Sequence, residues 1–300
     1  MATKRTPDGF GNLIEPYRIT KGKGFRLERF DPADTHRLAS EHKPQAKQLL
    51  EQGVARLADL QDKLYAHNQW SVLLVFQAMD AAGKDSTIEH VMSGVNPQGC
   101  QVYSFKQPSA EELDHDFLWR STKCLPERGR IGIFNRSYYE EVLVVRVHQE
   151  ILRSQKLPPK LITKRIWDER LEDIAAFERY LVRNGTVILK FYLNVSRDEQ
   201  KRRFLERLDE PDKNWKFQSG DVTERLHWDE YMLAYQEAIR ATATKHAPWF
   251  VMPADNKWFT RLVVAAAIVD ALQRLDLAYP PVDDARRKEL MAARKLLMRE

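Results

Sequence analysis

Apolar residues along the chain follow two periods. From about residue 44 to 67, Ala46, Leu49, Leu50, Val54, Leu57, Leu60 and Leu64 recur at helical spacing, which predicts an amphipathic helix. It leads into Ser-Val-Leu-Leu-Val-Phe at 71–76, a short unbroken apolar run of the kind a parallel strand shows when both faces are covered. Similar runs return at 101–105, 130–134, 186–193 and 249–252. Helical patterns fill the intervals at 83–93, 110–123, 137–152, 161–183, 196–208, 222–245 and 257–275. Five strands separated by helices predict βα units, hence an α/β fold with a five-stranded parallel sheet.

Two segments break the alternation. Residues 209–221 (DEPDKNWKFQSGD) are polar, carry aromatics of an exposed type and separate two helices, which makes them a candidate mobile lid. Residues 283–300 place Leu290, Met291, Leu296 and Leu297 on a charged helix that either packs on the domain's own surface or serves a homo-oligomer. The start of the chain is rich in Gly, Pro and charge. The expected organisation is a basic arm over 1–32, one domain over 33–280 with its lid at about 197–225, and a C-terminal helix over 281–300.

Composition changes this picture little. With 43 % hydrophobic and 30 % charged residues the chain can bury a large core. The net charge of +5 resembles a nucleic-acid signal until it is located. Residues 1–26 carry Lys4, Arg5, Arg18, Lys21, Lys23 and Arg26 against Asp8 and Glu15, so the arm holds most of the excess. A solvated tail is the expectation, with no nucleic-acid partner. Cys100 and Cys124 lack metal-site spacing and fit a reducing compartment, so a cytoplasmic location is expected. No apolar run approaches the ~20 residues of a membrane span, and the N-terminal residues lack the hydrophobic core of an export signal.

Candidate chemistry gathers after the first long strand. The loop Gln77-Ala-Met-Asp-Ala-Ala-Gly-Lys-Asp-Ser-Thr87 joins a strand to a helix, where backbone N–H groups and the positive helix end can face an anion and a Lys supplies mobile charge. Against G-x-x-x-x-G-K-[ST], Ala78 stands in for the first Gly and Asp85 follows Lys84, with Ser86 and Thr87 displaced. Asp80 sets a carboxylate inside a phosphate loop, which repels phosphate unless a divalent cation lies between, so Asp80 is a metal-ligand candidate; an Asx turn is the structural alternative. The strand ending in Gly132-Ile-Phe-Asn-Arg-Ser-Tyr-Tyr-Glu-Glu141 brings Asn135 to the place where many phosphate-loop enzymes carry a metal-holding Asp. Asn135 offers a carbonyl without charge, leaving neutralisation to Asp80 and Glu140 or Glu141, with Arg136 facing transferring phosphate. Arg203 and Arg207 share a helix face and could reach one phosphate chain, although residues 197–225 hold eight Lys or Arg against eight Asp or Glu. His90 and His115 are the candidates for a phosphohistidine intermediate, but neither has a cradle of its own, and a structural role is expected for both.

QAMDAAGKDSTIEHV at 77–91, LDHDFLWR at 113–120, IFNRSYYE at 133–140, EQKRRFLER at 199–207, PDKNWK at 211–216 and APWFVMPADNK at 247–257 together resemble the family-2 polyphosphate kinases, in order from about residue 40 to 275. The resemblance implies a P-loop kinase-like three-layer fold with a helical lid. It also implies dependence on Mg²⁺ (or Mn²⁺) and reversible in-line phosphoryl transfer between inorganic polyphosphate and adenine, or guanine, nucleotides. By matching positions Asp80, Lys84, Asn135, Arg136 and Glu140 are the expected catalytic set, with Asp80 on the metal. Ala81, Ala82, Gly83, Asp85, Ser86, Thr87, Arg120, Arg203 and Arg207 are expected to bind nucleotide and polyphosphate. Many members have Asp where this chain has Asn135, and Asn where it has Glu140; the pair found here resembles the branch that accepts both AMP and ADP. Two alternatives remain open: an ATP-dependent nucleotide or nucleoside kinase, and a non-catalytic polyanion-binding protein.

Overall fold

The structure is a computed structural model and describes residues 13–36, 38 and 40–300, leaving the first twelve residues of the expected arm outside the described ones. The apolar runs become strands: β2 (Ser71–Ala78), β3 (Cys100–Ser104), β4 (Ile131–Asn135), β5 (Thr186–Asn194) and β6 (Trp249–Pro253), after a two-residue β1 (Arg18–Ile19). Their order in the sheet is β1-β6-β5-β2-β4-β3. Every pairing is parallel except β1 with β6. The five parallel strands match the apolar pattern, while the antiparallel β1 comes from the segment read as an arm. That segment is bound to the domain. Ile14, Tyr17, Phe25 and Leu27 are buried, and a Cβ on Gly22 would lie 1.7 Å from the carbonyl oxygen of Arg240.

β2 is buried along its whole length, as its unbroken apolar sequence requires. Phe76, Phe191 and Phe250, on adjacent strands, stack with ring centroids 4.9 and 5.4 Å apart. The long helices are α1 (Lys43–His67), α2 (Lys84–Val91), α3 (Ile166–Arg183), α4 (Arg197–Asp209), α5 (Ser219–Glu224), α6 (Trp228–Thr242), α7 (Lys257–Gln273) and α8 (Asp284–Leu297). α7 packs on α1 and α2, and α6 packs on α3. α8 has no buried residue: the whole of 281–300 is exposed, so it does not pack on the domain's own surface.

Three predicted helices are broken, each by side-chain hydrogen bonds. The helix expected over 110–123 is two short turns, Ala110–Leu113 and Trp119–Thr122, because the Asp116 carboxylate accepts from the backbone N–H of Leu118 at 2.9 Å. The stretch 137–152 becomes a 3-10 turn, Tyr138–Val142, followed by Val144–Val147 and Gln149–Ser154. Both Tyr138 and Tyr139 donate their hydroxyls to Glu178, at 3.0 and 2.8 Å, and adjacent residues of an α-helix cannot face one partner. Residues 222–245 bend at a 3-10 turn, Arg225–His227, where Arg225 donates to the Arg197 carbonyl and the Gln200 side chain.

Candidate active site

The loop after β2 turns sharply, with Ala81 at φ 60° and Gly83 at φ 101°. Gly83 takes the left-handed conformation without penalty; for Ala81 it costs about 1 kcal/mol. Arg203 holds the strained turn in place. Its Nη1 donates to the carbonyls of Ala81 and Ala82 at 3.0 and 2.9 Å, its Nη2 to those of Ala254 and Asp255 at 2.7 and 3.1 Å, and its Nε to Glu199 at 2.7 Å. A guanidinium has five N–H groups, and here all five have protein acceptors. Only 4 % of Arg203 is exposed. The expected lid arginine is therefore a brace that clamps the loop to the end of β6. Gln200, about one helical turn before it, donates to the Asp80 carbonyl at 2.9 Å.

With its carbonyls held from behind, the loop leaves the first amides of α2 without helical acceptors, and Gly83 contributes no side-chain cap. Lys84 folds back to donate to the Ala78 carbonyl at 2.9 Å. Burial pushes its ammonium below the ordinary lysine range, an effect the Asp80 carboxylate opposes. β4 ends at Asn135, and Arg136 swings the chain out at φ 63°. The Arg136 guanidinium lies 3.0 Å from Asp80 and 3.9 Å from Glu140. Burial works against its charge, but the two carboxylates more than offset this. Burial likewise raises the Glu140 carboxyl, with Arg136 and Lys84 opposing. Asn135 donates to Asp85 at 2.5 Å, which leaves its amide oxygen free for another partner.

These groups form the floor of a cleft of about 820 Å³. Asp80, Ala81, Ala82, Gly83, Lys84, Asp85, Ser86, Asn135, Arg136, Arg203 and Arg207 line it, as the sequence led one to expect. Thr87 is buried beneath the floor, and Glu140 reaches the cleft only through Arg136. Arg120 lies off it, donating to the Lys106 carbonyl at 2.8 Å and covering the ring of Phe105 at 5.2 Å. It positions two lining residues without lining the cleft itself. The cleft wall also holds Lys106 and Lys257, which sequence reasoning missed, and Lys213, Trp215, Lys216 and Asp221 from the segment read as a lid. Counted over all lining residues, eight Lys or Arg face four Asp or Glu, an excess of four positive charges. His90 hydrogen-bonds the Ser86 carbonyl and His115 stacks on Trp119, so both histidines have structural partners, and neither lines the cleft.

The oxygen donors that line the cleft suit a hard cation. Carboxylates, the Asn135 amide oxygen and the Ser86 hydroxyl are all oxygen ligands, and among the described residues no three His, Cys, Asp or Glu cluster into a cage. Mg²⁺ is characteristically held this way, by one or two carboxylates with substrate phosphates and water completing its shell.

The model of the polyphosphate kinase 2 family matches residues 40–279. An ADP-polyphosphate phosphotransferase of Rhodopseudomonas palustris is 54 % identical over 260 residues, covering 86 % of this chain and 90 % of that protein. An AMP/ADP-polyphosphate phosphotransferase of Meiothermus ruber is 44 % identical over 275 residues, covering 92 % and 98 %. The crystal structure of polyphosphate kinase 2 from Arthrobacter aurescens superposes with a TM-score of 0.84 at 40 % identity, over 98 % of this chain and all of that one. A braced phosphate loop under a cationic cleft, on this sheet and with this sequence kinship, places the chain in the polyphosphate kinase 2 family.

Proposed function

We propose that the chain transfers phosphoryl groups reversibly between inorganic polyphosphate and adenine nucleotides, raising AMP to ADP and ADP to ATP. The observation that carries this reading is the charge of the cleft: eight cations against four carboxylates around a phosphate loop suit substrates that are polyanionic on both sides of the reaction. The relatives from R. palustris and M. ruber bear names that combine polyphosphate with ADP or with AMP and ADP. In this reading the loop amides and Lys84 grip the phosphate to be moved, and Arg136 spreads charge from its non-bridging oxygens. Arg207 closes from the lid. Asp80, aided by the Asn135 oxygen, would hold Mg²⁺, which supplies charge neutralisation between phosphate groups. Attack is in line, because phosphoryl transfer asks the protein for alignment and charge compensation more than for covalent chemistry. Glu140, anchored on Arg136, is the group through which the acceptor is read.

The cytoplasm is the expected location, and no helix among the described residues is long and apolar enough to cross a membrane. A homo-oligomer is the expected assembly, with the exposed Leu290, Met291, Leu296 and Leu297 of α8 as its candidate surface.

The purified chain should form ATP from ADP, and ADP then ATP from AMP, with polyphosphate and Mg²⁺ and no nucleoside triphosphate added. Lys84→Ala should lower the rate by about a thousandfold. Turnover with ATP as donor and none with polyphosphate would replace this reading with an ordinary nucleotide kinase.

A further inference from the structure

The segment that reads as a solvated arm ends against the support of the phosphate loop. Ile14, Tyr17, Phe25 and Leu27 anchor it in the core, and β1 adds it to the edge of β6. Beyond that anchor the carbonyls of Phe30, Pro32 and Ala33 all accept hydrogen bonds from the ends of β5 and β6. Asn194, the last residue of β5, donates its side-chain amide to Phe30 at 2.8 Å. The Asp255 backbone N–H donates to Pro32 at 3.0 Å, and the Asn256 side-chain amide donates to Ala33 at 3.0 Å. Asn194 also accepts from the Ala254 N–H at 3.0 Å through its own carbonyl.

Two details set these contacts apart from ordinary surface packing. The turn over residues 254–256 is held from opposite sides: Pro32 takes the N–H of Asp255, while Arg203 takes the carbonyls of Ala254 and Asp255. The same guanidinium reaches the carbonyls of Ala81 and Ala82. Because a guanidinium is a planar, rigid fork, a shift of the turn is passed on to the loop and is not absorbed by a flexible link. The second detail is Asn256 itself. It stands at the N-cap of α7, where an Asn side chain ordinarily accepts an N–H of the first helical turn. It makes no such bond to α7 and donates to Ala33 instead.

A contiguous chain of hydrogen bonds thus runs from residues 30–33 through the turn and Arg203 to Ala81, whose left-handed backbone needs an external hold. We propose that residues 30–33 are a strap that positions the phosphate loop, with Asn256 and Asn194 as positioning residues for phosphoryl transfer. Neither asparagine lines the cleft. They set where the loop amides point and leave the affinity for either substrate to other groups. The kinetic part of this inference rests on the proposed function; the mechanical link between strap and loop does not.

The test compares Asn256→Ser with the unmodified chain. Serine keeps a good N-cap and adds no charge, but it is too short to reach Ala33. Tyr279→Phe, which removes an exposed contact with Asp62, is the control for slight loosening elsewhere. With polyphosphate and Mg²⁺, Asn256→Ser should lower kcat about fivefold and change KM for ADP and for polyphosphate by less than about twofold, because a misaligned loop slows transfer more than it weakens binding. Its melting temperature should stay within about 2 °C of the unmodified chain. Amides of residues 79–86 should exchange hydrogen several-fold faster in Asn256→Ser and unchanged in Tyr279→Phe. Since coupling is reciprocal, tripolyphosphate with Mg²⁺ should slow exchange over residues 25–34 of the unmodified chain, and less so in Asn256→Ser. An unchanged kcat, faster exchange confined to the strap and the turn, or an equal loss of kcat in Tyr279→Phe overturns the proposal. If the unmodified chain shows no polyphosphate-driven turnover, the functional reading falls, while exchange in the loop still decides whether the strap holds it.

Discussion

The floor and the roof of the cleft are both built from charged residues, yet they use them in opposite ways. On the floor every strong donor has an acceptor: Arg203 fills all five of its N–H groups, Lys84 rests on a carbonyl, and Arg136 sits between two carboxylates. On the roof, Lys216 has no carboxylate partner among the described residues, Trp215 is 77 % exposed, and Arg207 makes long contacts of 3.4 Å to the Lys216 carbonyl and 3.6 Å to Asp221. The floor is organised before substrate arrives. The roof is satisfied unevenly: Lys213 is paired with Glu206 and Glu210, while Lys216 has only the Trp215 ring among the described residues. Neighbouring arginines on one face of α4 thus differ in kind: Arg203 is committed to the loop, and Arg207 is held only by long contacts.

Removing the brace should break that contrast most severely. Arg203→Ala leaves the buried carbonyls of Ala81, Ala82, Ala254 and Asp255 without their donor, and the Glu199 carboxylate loses one partner. Orphaned buried acceptors are expensive, so the variant should lose about 3 kcal/mol of stability. Arg203→Lys should recover little of it, since an ammonium cannot span two carbonyl pairs. Denaturant midpoints of the two variants check this. Near-native stability combined with a raised KM for polyphosphate would return Arg203 to the role of a ligand-binding lid residue.

Arg207→Ala should sharpen the contrast from the other side. Its contacts are long and its environment partly open, so stability should change by less than about 0.5 kcal/mol. KM for polyphosphate should rise about tenfold, the effect of losing one charge-assisted contact. Steady-state kinetics beside a melting curve separates the two arginines. A destabilisation of Arg207→Ala comparable to that of Arg203→Ala would erase the distinction.

How far the sequence foretold this arrangement depends on how local each feature is. Strand β2, the loop and Asn135 with Arg136 were legible because an unbroken apolar run, a Gly-Lys pair and a strand end each declare themselves within a few residues. The two arginines of α4 were legible as a pair at i,i+4, but not in their roles. What separates them lies across the chain, in the carbonyls of Ala254 and Asp255, and spacing alone carries no trace of that. Lys257 was missed for the same reason. It stands at the start of a helix some 170 residues from the loop, and only the parallel order of β2, β5 and β6 brings the two together. The helix breaks at 114–118 and 143 were hidden because Asp116 and the Tyr138–Tyr139 pair follow a helical pattern until their hydrogen-bond partners are known. β1 was hidden because two residues are too short to show alternation.

The smallest effect concerns the roof's far anchor, which depends on pH as the floor's brace does not. His148 follows the Val144–Val147 turn and contacts Glu224 at the end of α5 at 3.0 Å. It also contacts Glu150 at 3.3 Å and faces the ring of His227 at 5.2 Å, while the Tyr231 hydroxyl donates to the same Glu224 at 2.6 Å. Burial disfavours the imidazolium, but the hydrogen bond to Glu224 and the charges of Glu224 and Glu150 outweigh it, so the histidine is raised above its ordinary value. A raised histidine binds its proton more tightly in the folded state. Its stabilising contribution is therefore complete below the ordinary histidine pKa of about 6.5 and is lost as pH rises through the higher folded value. Thermal melts of the unmodified chain and of His148→Gln should differ most at the acidic end and converge toward alkaline pH. Glu224→Gln should flatten the same dependence from the other partner. Arg203→Ala, by contrast, should show a deficit that does not vary across that range, because the guanidinium it removes does not titrate there. A gap for His148→Gln that stays constant with pH would mean that the contact with Glu224 holds by packing and neutral hydrogen bonding, and that the lid's anchor is as indifferent to protons as the floor.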